Sequence, residues 1–156
     1  MTATDNTITG LFTITQAGSV LYTLHQINTN GSDNYDLSGG GTNTYSQTTS
    51  ENSLTGQSST TGGGSDAYSL TQTGASGGSG GGSRSYTLTL VGTDAYTLNN
   101  TDNAQIGTVS DITTGGGAYT LSETGTDSGT PFTTGSTGNS GFSQTRPATW
   151  SMARSA

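Results

Sequence analysis

Asp66 and Asp94 stand in nearly the same surroundings, Gly64-Ser65-Asp66-Ala67-Tyr68-Ser69-Leu70 and Gly92-Thr93-Asp94-Ala95-Tyr96-Thr97-Leu98, and Asn43 holds the matching place in Gly41-Thr42-Asn43-Thr44-Tyr45. Carboxylate and amide oxygens are hard donors, and three of them stacked along one edge would suit Ca2+. An Asp in such a stretch also has a plainer use, because its side chain bonds its own backbone two residues on and so forms turns. Which chemistry applies depends on what brings the three side chains together.

The remaining reactive residues are sparse. His25 is the only histidine, so no His cluster for a metal exists, and it reads as an exposed strand residue. Serines are plentiful, but none lies in a G-x-S-x-G or similar nucleophile context. Asp36, Asp111, Glu51 and Glu123 form no reproducible pair for acid/base work. No catalytic residue is assigned and the chain does not read as an enzyme. The absence of Cys excludes disulfides and thiolate metal sites. A formal charge of −7, with no Lys and only Arg84, Arg146 and Arg154 as fixed cations, leaves nothing to neutralise a row of phosphates. Nucleic acid is therefore not an expected partner. No window approaches the ~20 apolar residues of a membrane helix, and MTATDNTITG lacks the basic and apolar parts of a secretory signal. Export is expected to use another signal, or one carried elsewhere on a larger protein.

What must position Asn43, Asp66 and Asp94 is a repeat. Phe12, Tyr22, Tyr35 and Tyr45 are spaced by 10, 13 and 10 residues, and the same steps return from Tyr119 to Phe132 and Phe142. Six units of 23 residues begin at residues 12, 35, 58, 86, 109 and 132, the third lengthened by five residues in the Gly-rich stretch 77–83. The seventh column is Gly18, Gly41, Gly64, Gly92, Gly115 and Gly138; the eleventh is Tyr22, Tyr45, Tyr68, Tyr96, Tyr119 and Phe142. These twelve are the structural residues of the repeat. The twelfth column is always Ser or Thr, the thirteenth is Leu in four units, and Asn43, Asp66 and Asp94 share the ninth.

Tyr-Thr-Leu-Thr alternates apolar with small hydroxylated residues, the period-2 signature of a half-buried strand. No window carries a helical stripe, and glycine is too dense for a helix. The fold class is thus all-β. Each unit is expected to hold two short strands, the Gly column making the turn between them. Six such repeats can form an elongated β-solenoid with a narrow Tyr/Leu core, or an antiparallel β-hairpin sheet of twelve strands about 58 Å across. Stacked columns favour the solenoid. With 26% apolar residues against the usual ~45–50%, either core is thin and association beyond the array's own ends would stabilise it. Residues 1–11 read as a lead-in or edge strand through Thr7-Ile8-Thr9, and residues 145–156 as a C-terminal cap in which Trp150 plugs the core.

Three partial resemblances sharpen these expectations. Gly62-Gly63-Gly64-Ser65-Asp66-Ala67-Tyr68 resembles the nonapeptide calcium repeat of RTX proteins, with Thr61 in place of its first Gly and no nine-residue recurrence. Thr13-Ile14-Thr15, Thr87-Leu88-Thr89 and Ser69-Leu70-Thr71 resemble the hydroxyl ladders of ice-binding β-solenoids, interrupted here by His25, Asn99, Asp36 and Ile112. The unit carried by residues 64–70, 92–98 and 117–121 resembles the Tyr-Thr-Leu tandem segments of large bacterial surface proteins associated with Rhs-type YD repeats; Tyr35-Asp36-Leu37-Ser38-Gly39 matches the start of the YD motif, and Gly40 replaces its Arg. That last resemblance implies an extracellular or cell-surface architectural protein without catalysis. The functional expectation is a structural stalk or self-assembling fibre subunit whose partner is another copy of itself, since low charge, no Lys and few Pro leave strand edges unguarded. The alternative is a binding module, taking Ca2+ at Asp-lined turns, or carbohydrate or ice on a Thr/Tyr face.

Overall fold

The computed structural model describes residues 1–77 and 82–149. They form seven strands: β1 Thr2–Asn6, β2 Leu11–Asn30, β3 Asp33–Asn52, β4 Gln57–Gly77, β5 Ser83–Asn103, β6 Thr108–Asp127 and β7 Thr130–Thr149. Strands adjacent in sequence are adjacent in space, and all six pairings are antiparallel, so the chain is a meander in one open sheet.

The all-β fold class stands, as the antiparallel array and not the favoured solenoid. Connector length explains the choice. A parallel coil needs a crossover of about a dozen residues or more, whereas the links between strands β2 to β7 run from two residues, at 31–32 and 128–129, to five, at 78–82.

Two further expectations are corrected. Each unit contributes one continuous strand of 20 or 21 residues instead of two short ones. The Gly column lies at the centre of these strands and makes no turn: among the described residues positive φ is found at Gly10, Gly31, Gly56, Gly107, Ser128 and Gly129, all in connectors. Local turn chemistry around Gly-Thr-Asp-Ala is overridden by cross-strand pairing, which decides strand conformation more than intrinsic preference does.

The real turns differ at the two ends of the plate. At one end, Asn-x-x-x-Gly recurs as residues 6–10, 52–56 and 103–107. In the middle copy, Asn52 Oδ1 accepts from the backbone N–H of Leu54 and Thr55 at 3.0 and 3.2 Å, and Gly56 N–H donates to the Asn52 carbonyl at 2.9 Å. Gly56 can close this turn because its φ of 66° costs glycine nothing. The turns also bond to one another, Ser53 N–H to the Gly10 carbonyl and Ala104 N–H to the Gly56 carbonyl, at 2.9 and 2.8 Å. At the opposite end, Gly31-Ser32 and Ser128-Gly129 make two-residue hairpin turns.

Within residues 1–11 the strand is Thr2–Asn6, and Thr7-Ile8-Thr9, where a strand is expected, lies in the turn after it. β7 runs past residue 144 to Thr149. Trp150, expected as a cap, lies outside the described residues, as do residues 78–81 of the Gly-rich insertion between β4 and β5.

A twenty-residue strand spans about 65 Å and seven strands about 29 Å, so the sheet is a plate one layer thick. Among the described residues no apolar side chain is fully buried and no second layer covers either face, so they hold no Tyr/Leu core. The accessible surface is 10437 Å², whereas a compact monomer of 15.6 kDa would expose about 7,300 Å².

Candidate functional site

One register rule organises the sheet. Ninth-column residues meet ninth-column residues, so Val20, Asn43, Asp66, Asp94, Gly117 and Ser140 form a row across the middle of β2 to β7. Positions on either side then mirror each other, and the seventh column always faces the eleventh: Tyr22 pairs with Gly41, Tyr45 with Gly18, Tyr68 with Gly92 and Tyr96 with Gly64. The glycine and aromatic columns are therefore kept because antiparallel neighbours reflect the repeat about its ninth position.

The side chains show why glycine belongs there. A Cβ added to Gly18 would lie 2.6 Å from Tyr45 Cε1 and 2.7 Å from its Cζ, too close for a real contact. Tyr22 covers Gly41, Tyr68 covers Gly92, Tyr96 covers Gly64, Tyr119 covers Gly138 and Phe142 covers Gly115 in the same way. Within β2/β3, β4/β5 and β6/β7 the covering is reciprocal, each strand laying its ring on the other's glycine. An aromatic side chain that cannot enter a core thus packs flat on the sheet itself, and cross-strand pairs of this kind are the unit of sheet stability.

Continuous register puts alternate residues on opposite faces. One face carries the aromatic and glycine columns and nine of the ten acidic residues, Asp36 being the exception. The other is a field of Ser, Thr and Ala. On that face the hydroxyls of Thr15 and Thr48, Thr44 and Ser65, and Thr97 and Thr114 bond across strands at 3.1, 2.9 and 2.7 Å. The T-x-T pairs read from the sequence all present their hydroxyls there, with His25, Asn99, Asp36 and Ile112 among them.

The three expected oxygen donors are brought together, at mid-strand and not at turns. Asn43 pairs with Asp66, and Asp66 with Asp94, on three successive strands. Tyr22 reaches over Gly41 of the intervening strand and donates its hydroxyl to Asp66 Oδ2 at 3.1 Å. Partial desolvation of that hydroxyl, and then the Asp66 carboxylate beside it, raise the Tyr22 pKa above its ordinary value. An open depression bordered by Asn43, Asp66, Asp94, Tyr96 and Phe142 lies over the pair. Two like charges directly opposite destabilise a sheet, and a cation would relieve them. Among the described residues no group of three or more His, Cys, Asp or Glu side chains is gathered closely enough to hold a metal ion, so a cation here would rest on two carboxylates, the Asn43 amide and water.

Spacing did not reveal a second cluster on the aromatic face. Arg84 Nη2 donates to Glu123 Oε1 at 2.6 Å, and its guanidinium lies 4.9 Å from the Phe132 ring centre and 5.7 Å from that of Tyr86. The available signal was the register, which is invisible until strand ends are known. On the hydroxyl face, His25 Nε2 lies 2.9 Å from Asp36 Oδ1, with their side chains 60% and 51% exposed. Such an exposed pair contributes little to stability. Ser38 is the cross-strand partner of His25, but the hydrogen bond His25 makes is to Asp36, and the setting is open surface, not a substrate pocket.

No known family model matches the chain, and comparison with curated proteins returned no relative.

Proposed function

We propose that this protein is structural: a β-repeat subunit that associates with copies of itself into an extended extracellular or cell-surface assembly, as a stalk or fibre. The observation that carries this reading is a one-layer plate with both long edges unpaired. β1 pairs only with residues 11–15 of β2, and among the described residues no strand neighbours the outer side of β7. Some 3,100 Å² of surface beyond the compact expectation is uncovered, several times the ~800 Å² that one partner contributes to a standard interface. The extracellular location rests on the resemblance of the Tyr-Thr-Leu units to surface proteins. Sedimentation velocity across a concentration series, with negative-stain images of the same samples, tests the reading. Association rising with concentration into elongated particles is expected; a chain that stays monomeric at high concentration overturns it.

The opposition of Asp66 and Asp94 beside Asn43 favours a second reading, a binding module that takes Ca2+ on the midline. Its test is a thermal melt with calcium and with chelator, and coincident melts would sink it.

A further inference from the structure

The two open edges of the sheet are complementary, and we propose that β7 of one copy pairs antiparallel with β2 of the next, with Ser140 opposite Val20 of that copy. The inference deepens the self-association reading and rests on it, naming the surface and the register.

The register rule points to this junction. All five pairings among β2 to β7 set ninth column on ninth. Carried across the junction, the rule puts Phe142 opposite Gly18 and Gly138 opposite Tyr22, so the aromatic-on-glycine ladder continues and the aromatic face stays on the same side. It also aligns residues 130–144 of β7 with residues 30–16 of β2, the whole stretch of β2 that β1 leaves open.

Hydrogen-bonding phase supplies an independent argument. A two-residue turn makes its flanking residues a hydrogen-bonded pair, here Asn30 with Asp33 and Asp127 with Thr130. The bonds Gly77 N–H to the Ser32 carbonyl and Ser128 N–H to the Ser83 carbonyl, at 3.2 and 2.8 Å, fix the same alternation on the inner sides. Odd-numbered residues of both β2 and β7 therefore aim N–H and C=O outward, and the proposed register pairs odd with odd, Asn139 with Leu21 and Thr137 with Thr23. Pro131 and Pro147 are both odd, so the donors they lack fall on the outer edge and leave the ladder to β6 intact. Between them every outward N–H from Thr133 to Thr145 is available.

Charge is the third argument. Residues 16–30 and 130–144 contain no Asp, Glu, Lys or Arg, whereas each of β3 to β6 carries at least one carboxylate. Edge strands that must stay single are usually guarded by charge or Pro; within the aligned stretches the only such guard is Pro131, near the end of the junction. Leu21 and Ile27, 75% and 62% exposed, lie on the open part of β2. A junction of one edge with a different edge is heterologous, so each added copy presents a fresh edge and copies add into a ribbon. Beyond Gln144, the last five residues of β7 and β1 of the next copy claim the same lane, and one of these five-residue segments is displaced as the junction forms.

The chain has no cysteine, so introduced thiols report the junction directly. Val20 and Ser140 would form a non-hydrogen-bonded pair with Cα atoms about 4.5 Å apart, within disulfide range. Mild oxidation of the double variant V20C/S140C should give a ladder of dimers, trimers and higher multimers that collapses on reduction. Each single variant has no thiol opposite it across the junction and should give no ladder, and neither should V20C/S136C, four residues out of register on the same face. Leu21→Pro, which removes one outward donor and keeps the bonds to β3, should retain the strand signal in circular dichroism and abolish the ladder of V20C/S140C. If the wild type sediments as a monomer, the junction and the proposed function both fall. If it assembles while V20C/S140C fails to cross-link, or V20C/S136C cross-links equally well, the junction alone falls.

Discussion

Gly18→Ala is a sharp test of how the sheet is held together, because two principles predict opposite signs. Gly18 sits mid-strand with ordinary extended φ, so strand propensity alone says that Ala should stabilise it by ~0.5–1 kcal/mol. The geometry says otherwise. The new methyl would stand 2.6 to 2.8 Å from Cε1, Cζ and Oη of Tyr45, and the ring would have to lift away. Losing the cross-strand contact costs ~0.2–1 kcal/mol and holding the ring off its rotamer ~0.5–1.5 kcal/mol. After the propensity gain, a net destabilisation of about 1 kcal/mol remains. Gly141→Ala is the control: its nearest foreign atom, the Gly115 carbonyl oxygen, lies 3.7 Å from the added Cβ, so only the gain of ~0.5–1 kcal/mol applies. Urea unfolding followed by circular dichroism, at protein concentrations below any association, reads both. On a Tyr45→Ser background, Gly18→Ala should become stabilising. If Gly18→Ala and Gly141→Ala stabilise the wild type alike, the ring-on-glycine account is wrong.

Two further outcomes follow from the midline. Asp94→Asn should raise the melting temperature at low salt by an amount equivalent to ~0.2–1 kcal/mol, since it removes a charge opposite Asp66, and the gain should shrink near 1 M salt, where screening acts within about 3 Å; a gain indifferent to salt would count against repulsion as its cause. For Tyr22, the raised pKa means that the folded chain holds the phenolic proton more tightly than the unfolded chain. That stability is fully present below about pH 10 and is lost as pH rises toward the folded value, so Tyr22→Phe should flatten the alkaline decline in melting temperature, and an unchanged decline would remove Asp66 from the explanation.

Much of this architecture is legible in the sequence, and what is not has a specific cause. The 23-residue period, the all-β class and the two unbroken columns can be read directly, because antiparallel repeats must reproduce the same residues at mirrored positions. Their direction of stacking cannot, since columns survive equally in a solenoid; connector length decides it, and that requires knowing where strands end. The Gly column misleads because Gly beside Asp is also turn chemistry, and the ring that explains Gly92 belongs to Tyr68, 24 residues away in the chain. The true turns carry signals, Asn30-Gly31, which occurs once, and the thrice-repeated Asn-x-x-x-Gly, which is hidden because it recurs only at every second connector. At the candidate site, Asn43, Asp66 and Asp94 meet because the repeat is mirrored about its ninth position, and the Tyr22 contact with Asp66 could not be read because it spans a whole intervening strand.

The meander has a mechanical consequence. Its first and last strands lie on opposite long edges, so tension applied through the two ends of the sheet acts along the inter-strand hydrogen bonds and not across them. Such a load peels the ladder bond after bond from an edge, and does not have to shear twenty at once. Each strand set free adds up to about 65 Å of slack, and connectors of a few residues let it fall back into register when the load is removed. The plate yields early, lengthens in equal steps and rewinds, which makes it an extensible element and not a stiff one.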